Sequence, residues 1–347
     1  MSRVLLTGAV GFIGSRIADQ LRERGDEVVG VDAVIPQAHG EGTVVPDDVH
    51  RLDVRDAGEW ADLLDGVDVV CHQAAMVGAG VTPADLPLYA AHNDLGTAAL
   101  LAAMTERGVD ALVVASSMVV YGEGRYSCGE HGRQPAAVRS RAALEGGDFE
   151  VHCGECGRAL AWELVPEDAP LDPRSSYAAS KLAQEHYTSA WVRQARSRAI
   201  GLRYHNVYGP GMPRDTPYSG VAAIFRSQLE AGRPPQVFED GGQVRDFVHV
   251  DDVARANLAA LDAVLTRDEE SWAAYNVCSG HPVPILEVAR ILADAADGPA
   301  PEVTGQYRPG DVRHVVASPE LAAAELGFRA RVTPAEGVAA FASAPLR

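Results

Sequence analysis

The sequence is poor in several things, and each shortage argues against a class of function. Basic residues are outnumbered, 30 Lys and Arg against 48 Asp and Glu, leaving a formal charge of −18. That balance argues against a nucleic-acid or anionic-membrane surface, though a local basic pocket for a phosphorylated small molecule is compatible with it. No apolar run reaches membrane-spanning length. No signal peptide precedes the first strand-like residues, because Met1 leads straight into Val4-Leu5-Leu6, and a cytoplasmic protein is expected. Cysteine is scarce and odd in number, five in 347 residues, which is poor support for a disulfide framework. With 47% hydrophobic and 22% charged residues the chain has an ordinary globular composition, and it suits one large domain or two sharing a cleft.

What is present begins with a strand, Arg3 to Thr7, that breaks into Gly8-Ala9-Val10-Gly11-Phe12-Ile13-Gly14 and a helix to about Arg24. Three glycines between strand and helix permit a tight turn, close approach of backbone to a pyrophosphate, and close helix packing, with the helix N-terminus facing the anion. A second strand, Glu27 to Val31, ends at Asp32. A carboxylate there accepts hydrogen bonds from an adenosine ribose and repels a 2′-phosphate, so NAD is favoured over NADP. A glycine motif alone would be a plain tight turn; strand, helix, strand and Asp32 together predict a dinucleotide site.

Strand and helix keep alternating, as a doubly wound parallel sheet requires. Asp53-Val54 closes a short strand, Val67 to His72 forms another, and Ala111 to Ala115 a fifth. Asn93 falls early in a helix, as a plain polar first-turn residue or as a helix-to-strand bridge near a cofactor. Ala74 and Ala75, after the fourth strand, suit a dinucleotide lying across the strand ends and equally suit simple packing. Ser116-Ser117-Met118-Val119-Val120-Tyr121-Gly122 follows the fifth strand where ligands bind in open α/β sheets. Further on, Tyr177 and Lys181 stand four residues apart on a predicted long helix, hence on one face. An ammonium held beside the phenol is expected to lower its pKa from near ~10 toward a usable base.

On these motifs the chain resembles an extended short-chain dehydrogenase/reductase of the NAD-dependent nucleotide-sugar epimerase/dehydratase family, nearly end to end. The resemblance implies a Rossmann-like NAD-binding domain over 1–204 carrying an insertion at 124–170. It also implies a smaller interleaved nucleotide-sugar-binding part over 205–347, of which 245–280 returns to the main sheet. It makes Ser117, Tyr177 and Lys181 catalytic, and it puts Gly8, Gly11, Phe12, Ile13, Gly14, Asp32, Asp53, Val54, Ala74, Ala75, Asn93, Tyr204 and Val207 around NAD together with Tyr177 and Lys181. Leu202-Arg203-Tyr204-His205-Asn206-Val207-Tyr208-Gly209-Pro210, Arg245-Asp246-Phe247-Val248-His249-Val250-Asp251-Asp252 and Arg308-Pro309-Gly310-Asp311 resemble family segments that reach the sugar nucleotide. Ser117, Met118, Asn206, Val221, Arg245, Arg308 and Asp311 are thereby candidates for substrate contact, and Phe238 packs either on the nucleobase or in the core. Fixed arginine forks in an acidic protein suit a diphosphate independently of the resemblance. A homodimer is the assembly implied.

Dehydratases and decarboxylases of this family carry acids just after the catalytic hydroxyl, but here those places are Met118 and Val119, which neither donate nor accept a proton usefully. The expected reaction is therefore 4-epimerisation, with a 4-ketoreductase or a decarboxylating or dehydrating relative as alternatives within the class. A sensor that binds NAD and reads zinc or redox state is the alternative outside it.

The interval between Ser117 and Tyr177 is long, and it holds two similar half-sites, Cys128-Gly129-Glu130-His131-Gly132 and Cys153-Gly154-Glu155-Cys156-Gly157. Two soft or borderline ligands two residues apart, with glycines at the turn, twice over, predict a closed Cys3His structural zinc site. A reduced metal-free loop or a disulfide within the second half-site would use the same residues. Paired cysteines flanking a charged loop resemble the dTDP-L-rhamnose 4-epimerase-like branch of the family, with His131 where that branch has Cys; UDP-hexoses and UDP-hexuronates stay open as substrates.

Overall fold

Alternation of apolar residues along the strands puts two hydrophobic layers on either side of one sheet. The computed structural model describes residues 1–35, 39, 43–78, 83–214, 220–308 and 310–347. Its strands in chain order are β1 Arg3–Thr7, β2 Glu27–Asp32, β3 Val49–Arg51, β4 Val69–His72, β5 Ala111–Ser117, β6 Arg125–Cys128, β7 Gly132–Gln134, β8 Ala161–Glu163, β9 Arg198–Tyr204, β10 Asn206–Tyr208, β11 Gln236–Val237, β12 Val244–His249, β13 Ser271–Val277, β14 Pro282–Pro284 and β15 Glu302–Val303. Seven form the main sheet in the order β13-β9-β5-β4-β1-β2-β3, all neighbours parallel. The order reverses between β1 and β4, the point at which a doubly wound sheet opens a crevice at its carboxyl edge.

Period two along the strands sorts the core. Val4 and Leu6 of β1 and Val113 of β5 pack with Ile17 and Leu21 of the helix Phe12–Arg24 and Val253 and Leu261 of the helix Val250–Leu265. Leu5, Leu112 and Val114 face the other way, onto Leu100 and Met104 of the helix Gly96–Arg107 and Trp191 and Val192 of the helix Ser176–Ala195. Each face thereby removes whole aliphatic side chains from water, at about 1.5–3 kcal/mol apiece. A buried ion pair pins this second face to the sheet: Arg203 of β9 meets Glu185 of the helix Ser176–Ala195 through Nε to Oε1 at 2.9 Å and Nη2 to Oε2 at 2.8 Å.

The C-terminal part is interleaved. β12 lies in a small sheet between β10 and β14, whereas β13 pairs with β9 along the main sheet from Ser271↔Arg198 to Val277↔Tyr204. Between β5 and the helix Ser176–Ala195 the chain makes an excursion built on the antiparallel sheet β7-β6-β8. Its core is small: Tyr126, Cys128, Val151, Cys153 and Leu160. Among the described residues no helix is long and apolar enough to cross a membrane.

Several local expectations are corrected. Asp53-Val54 does not close a strand; β3 is Val49–Arg51, and Asp53 instead caps the short turn Val54–Asp56 by accepting from the Arg55 amide. β5 runs on through Ser116 and Ser117, so the hydroxyls stand on the strand end rather than after it. Asn93 sits in the wide turn Ala90–Leu95 within a continuous helical run, not in a first turn.

Candidate active site

A cleft of about 1390 Å³ follows the carboxyl edge of the main sheet, from Gly8 after β1 past Ser117 at the end of β5 to Arg308 and Asp311 of the tail. Gly8 has φ +69°, and a Cβ there would stand 2.8 Å from the Ala74 amide nitrogen; one on Gly14 would stand 2.0 Å from the Gly8 carbonyl oxygen. Only glycine lets the turn, the helix start and the segment after β4 come this close. Asp32 is 5% exposed and accepts from the Val10 amide at 3.0 Å and the Val34 amide at 2.8 Å. Burial pushes its carboxyl up, but the His39 side chain and these amides outweigh it and hold the group below the usual carboxylate range. Gly11, Phe12, Ile13, Asp53, Val54, Ala74, Ala75, Tyr204 and Val207 also line the cleft.

Asn93 does not line it. The side chain is fully buried, donating to the Met76 carbonyl at 2.9 Å and Ser180 Oγ at 2.8 Å while its Oδ1 accepts from the Met76 amide at 2.7 Å. It therefore ties the segment after β4 to the helix Ser176–Ala195 from behind, which is the bridging alternative rather than direct contact with a ligand.

At the end of β5 the two serines part ways. Ser116 Oγ donates to Glu185 Oε1 at 2.5 Å, in the buried network of Arg203, whereas the Ser117 side chain stands beside the Tyr177 phenol. Tyr177 and Lys181 share one face of their helix and both border the cleft. The expected lowering of the phenol is corrected: burial pushes Tyr177 up to about 12, with Ser117 pulling the other way. Lys181 Nζ turns to the Ala115 carbonyl at 2.9 Å, and burial lowers it to about 7 against the Glu185 carboxylate. Helical spacing brought the two residues to one face, but the enclosure decides their protonation, because desolvation disfavours both charged forms.

The C-terminal wall is less as expected. Arg308 lies over the Phe238 ring, 5.2 Å from its centroid, and Arg308 and Asp311 border the cleft; Pro309 of that motif lies outside the described residues. Phe238 itself is half-buried behind Arg308. Val221, the first residue of the helix Val221–Glu230, packs onto the core of the small C-terminal part, and its neighbours Gly220 and Ile224 face the cleft. Arg245 reaches the cleft, but its Nη atoms donate to the carbonyls of Val244, Val312 and Arg313 at 3.0, 2.6 and 2.8 Å. Its guanidinium is a strut for the tail before it is an anion site.

Residues that the motifs did not single out also meet here. His205 is 4% exposed, borders the cleft, and neither ring nitrogen has a partner among the described residues; the Oδ1 of Asn206, an expected substrate contact that also borders the cleft, is in the same state. Burial lowers His205 to about 3, with the Arg245 charge acting in the same sense, so the ring is neutral. Its only signal in the sequence is its place beside Asn206. Arg174 and Arg347 border the cleft as well, with no local pattern to mark them.

Away from the cleft, the inserted half-sites converge. Cys128, His131, Cys153 and Cys156 offer ligand atoms all within 4.8 Å of one another, and all are free thiols or imidazole rather than a disulfide. Cys128 Sγ lies 3.7 Å from Cys156 Sγ and 3.6 Å from His131 Nδ1, and Cys153 Sγ lies 3.6 Å from His131 Nδ1. The backbone amide of His131 is the first cause of a Cys128 thiol lowered to about 7. Cys71 and Cys278 are buried in the core.

The sequence profile of the NAD dependent epimerase/dehydratase family matches residues 4–139 and 159–278, more than half of the 347. The chain belongs to this family. Within the NAD dependent epimerase/dehydratase family it is 33% identical over 346 residues to the dTDP-L-rhamnose 4-epimerase of Burkholderia thailandensis, spanning 97% of this chain and 93% of that protein. The fold is similar to that of the Thermus thermophilus UDP-glucose 4-epimerase in complex with NAD, with a TM-score of 0.75 and 34% identity over 98% of this chain and 97% of that one. It is similar also to MoeE5 in complex with UDP-glucuronic acid and NAD, with a TM-score of 0.76 and 30% identity over the same 98% and 97%. The stretch 140–158, which holds Glu150, Cys153 and Cys156, falls between the two matched blocks of the family profile.

Proposed function

We propose that the chain is an NAD-dependent nucleotide-sugar 4-epimerase acting by transient oxidation at sugar C4. The observation that carries this reading is the grouping of Ser117, Tyr177 and Lys181 in one cleft with the glycine turn, where Met118 and Val119 follow the serine in place of acids. NAD, when bound, would supply a reversible hydride acceptor for the sugar C4. The residues fit that cofactor: Gly8, Gly11, Phe12, Ile13 and Gly14 would hold the pyrophosphate, Asp32 the adenosine ribose, and Asp53, Val54, Ala74, Ala75, Tyr204 and Val207 the rest of the groove, with Asn93 supporting it from behind.

The chain's own part is proton transfer and orientation. Tyr177 acts as its phenolate, the form that enclosure disfavours and the neighbouring ammonium favours: it takes the C4 hydroxyl proton as the sugar is oxidised and gives it back as the 4-keto sugar is reduced from the other face. Ser117 hydrogen-bonds both the phenol and the C4 oxygen, so the proton has a fixed path. Lys181, one helical turn on, is the positive charge the chain can bring to a phenolate. Met118, Asn206, Arg245, Arg308, Asp311 and, through Arg308, Phe238 form the sugar-nucleotide side, with Val221 placing the adjoining Gly220 and Ile224. The named relatives support a dTDP-6-deoxyhexose such as dTDP-L-rhamnose, or a UDP-hexose or UDP-hexuronate, as substrate. The assembly proposed is a homodimer, tested by light scattering.

Cys128, His131, Cys153 and Cys156 are proposed to hold one structural zinc ion. All four corners of a tetrahedron are protein atoms, so the site is closed to substrate and takes no part in the C4 chemistry.

The test is incubation with a panel of dTDP- and UDP-sugars without added cofactor, followed by product NMR. Net epimerisation without reductant is expected, and Tyr177→Phe should abolish it while the protein still binds NAD. Conversion that survives Tyr177→Phe unchanged overturns the reading, and dependence on added reduced cofactor replaces it with a 4-ketoreductase.

A further inference from the structure

The sheet of the excursion between β5 and the helix Ser176–Ala195 is built on a cluster of five buried residues, two of them cysteines, with Leu144, Phe149 and Val165 buried outside that cluster. Such a core is too small to order a segment of this size alone, and small scaffolds in that position depend on a staple. The four ligand atoms are spaced for one. A tetrahedral ion with bonds of about 2.3 Å to sulfur and about 2.0–2.1 Å to nitrogen requires S···S edges of about 3.8 Å and S···N edges of about 3.6 Å. Of the six edges, Cys128–Cys156 is 3.7 Å and Cys128–His131 and Cys153–His131 are 3.6 Å, and all six lie within 4.8 Å. Cys128 and Cys156 are free thiols at this spacing, well beyond the ~2.05 Å of a disulfide. The unused ring nitrogen of His131 faces Glu155 at 3.8 Å, and Arg158 Nε donates to Cys156 Sγ at 3.4 Å, the kind of outer-shell support that orients ligands and offsets thiolate charge.

What the excursion grips is the tail behind Arg308 and Asp311. Tyr126, two residues before Cys128, accepts from the His314 amide at 3.0 Å. Glu150, three residues before Cys153, takes Arg313 Nη2 at 2.6 Å and Nε at 3.1 Å. The same guanidinium, 1% exposed, reaches Glu239 at 2.8 Å and Asp240 at 2.8 and 2.9 Å, next in sequence to Phe238. Arg139, also in the excursion, donates to the Asp311 carbonyl at 2.8 Å and pairs with Glu239 at 2.9 Å. Both segments that meet at the Arg308–Phe238 contact are thus held from the excursion side.

We propose that the Cys128, His131, Cys153 and Cys156 zinc site is the anchor of the nucleotide-binding wall: the ion fixes the excursion, and Glu150 and Arg139 pass that order to Arg308, Asp311 and Phe238, so metal occupancy sets affinity for the nucleoside diphosphate and not for NAD. The proposal rests on reading that wall as a nucleotide-sugar site. Glu150 and Arg139 are positioning residues; they touch the tail and not the reacting atoms.

Elemental analysis of full-length protein purified without added metal should give about one zinc per chain. Calorimetric titration with UDP and with dTDP is then compared with NAD titration for the wild type, Cys153→Ser and Glu150→Gln. Cys153→Ser should lose zinc and bind the favoured nucleotide at least about tenfold more weakly, with NAD affinity changed by less than about twofold. Glu150→Gln keeps all four ligands, so it should retain zinc yet raise the KM for the sugar nucleotide with kcat little changed. Wild type without zinc overturns the metal site. Zinc loss with undiminished nucleotide affinity overturns the anchor, as does equal loss of NAD and nucleotide in Glu150→Gln. Failure of zinc-loaded wild type to bind either nucleotide overturns the sugar-nucleotide reading while the metal assignment stands.

Discussion

Lys181 gives the sharpest test of how this site is built, because function and stability pull it in opposite directions. The side chain is 3% exposed, and its ammonium donates to the Ala115 carbonyl at 2.9 Å. Burial takes it from the usual 10.5 to about 7. A lysine depressed in the folded state penalises folding below its folded pKa, and the penalty fades as pH rises to the unfolded value. At neutral pH the linkage amounts to about 4 kcal/mol. Lys181→Met keeps the volume and removes the charge, but it leaves the Ala115 carbonyl short of one donor, at about 1–3 kcal/mol. The expected net effect is a gain of about 1–3 kcal/mol at pH 7, together with a loss of turnover of about 10² or more. Denaturant unfolding of both proteins from pH 6 to 10 reads it. The advantage of the variant should shrink by up to about 1.4 kcal/mol per pH unit between about 7 and 10. A variant that is less stable at pH 7, or an advantage independent of pH, refutes the argument that burial holds Lys181 near 7.

Glu185→Ala strands the Arg203 guanidinium, 4% exposed, and should destabilise the protein by about 3–5 kcal/mol, a drop in midpoint that calorimetry resolves. Asp32→Ser removes the carboxylate from the end of β2 and should weaken NAD by roughly tenfold while admitting NADP; comparative titrations with the two cofactors decide it. His205→Phe deletes two buried ring nitrogens that have no partner among the described residues, so thermal stability should hold or rise, and the KM for the sugar nucleotide should rise by about tenfold with NAD affinity intact.

Legibility followed the range of the interactions involved. The strand, glycine turn and Asp32 were readable because each is set within a few residues by steric need, and Gly8 and Gly14 do stand where a Cβ would collide with backbone. The spacing within each Cys/His half-site was readable for the same reason, although only the folded excursion brings Cys128 within 3.7 Å of Cys156. What the motifs could not carry was the use of each group once neighbours from distant segments arrive. Arg245 looks like an anion ligand in its motif, yet carbonyls 67 and 68 residues away take its Nη atoms. Phe238 and Val221 sit one layer behind the wall. The Tyr177 phenol reversed its expected direction because enclosure is a property of the whole cleft, and helical spacing reports only the neighbour four residues on.

The same distinction bears on elimination as the alternative chemistry. Glu123, the first acid after Ser117 in the sequence, is the natural candidate for a displaced proton donor, and burial does push its carboxyl up. Its oxygens are already engaged, however: Oε1 accepts from the Arg313 amide and from the Tyr126 hydroxyl, and Oε2 faces Arg174 Nη1 at 3.4 Å. Among the described residues, the carboxylates that do line the cleft are Asp32, Asp53 and Asp311. The first two belong to the glycine-turn half and the third to the tail. A dehydration needs an acid and a base on adjoining carbons of the sugar, both within hydrogen-bond reach. Ser117, Met118 and Val119 supply one hydroxyl and no carboxylate there, whereas epimerisation asks only for one proton to leave and return at a single oxygen. Glu123 thus belongs with Arg139 and Glu150 as a grip on the tail, and the proposed 4-epimerisation asks no more of the strand end than the Ser117 hydroxyl and the Tyr177 phenol beside it.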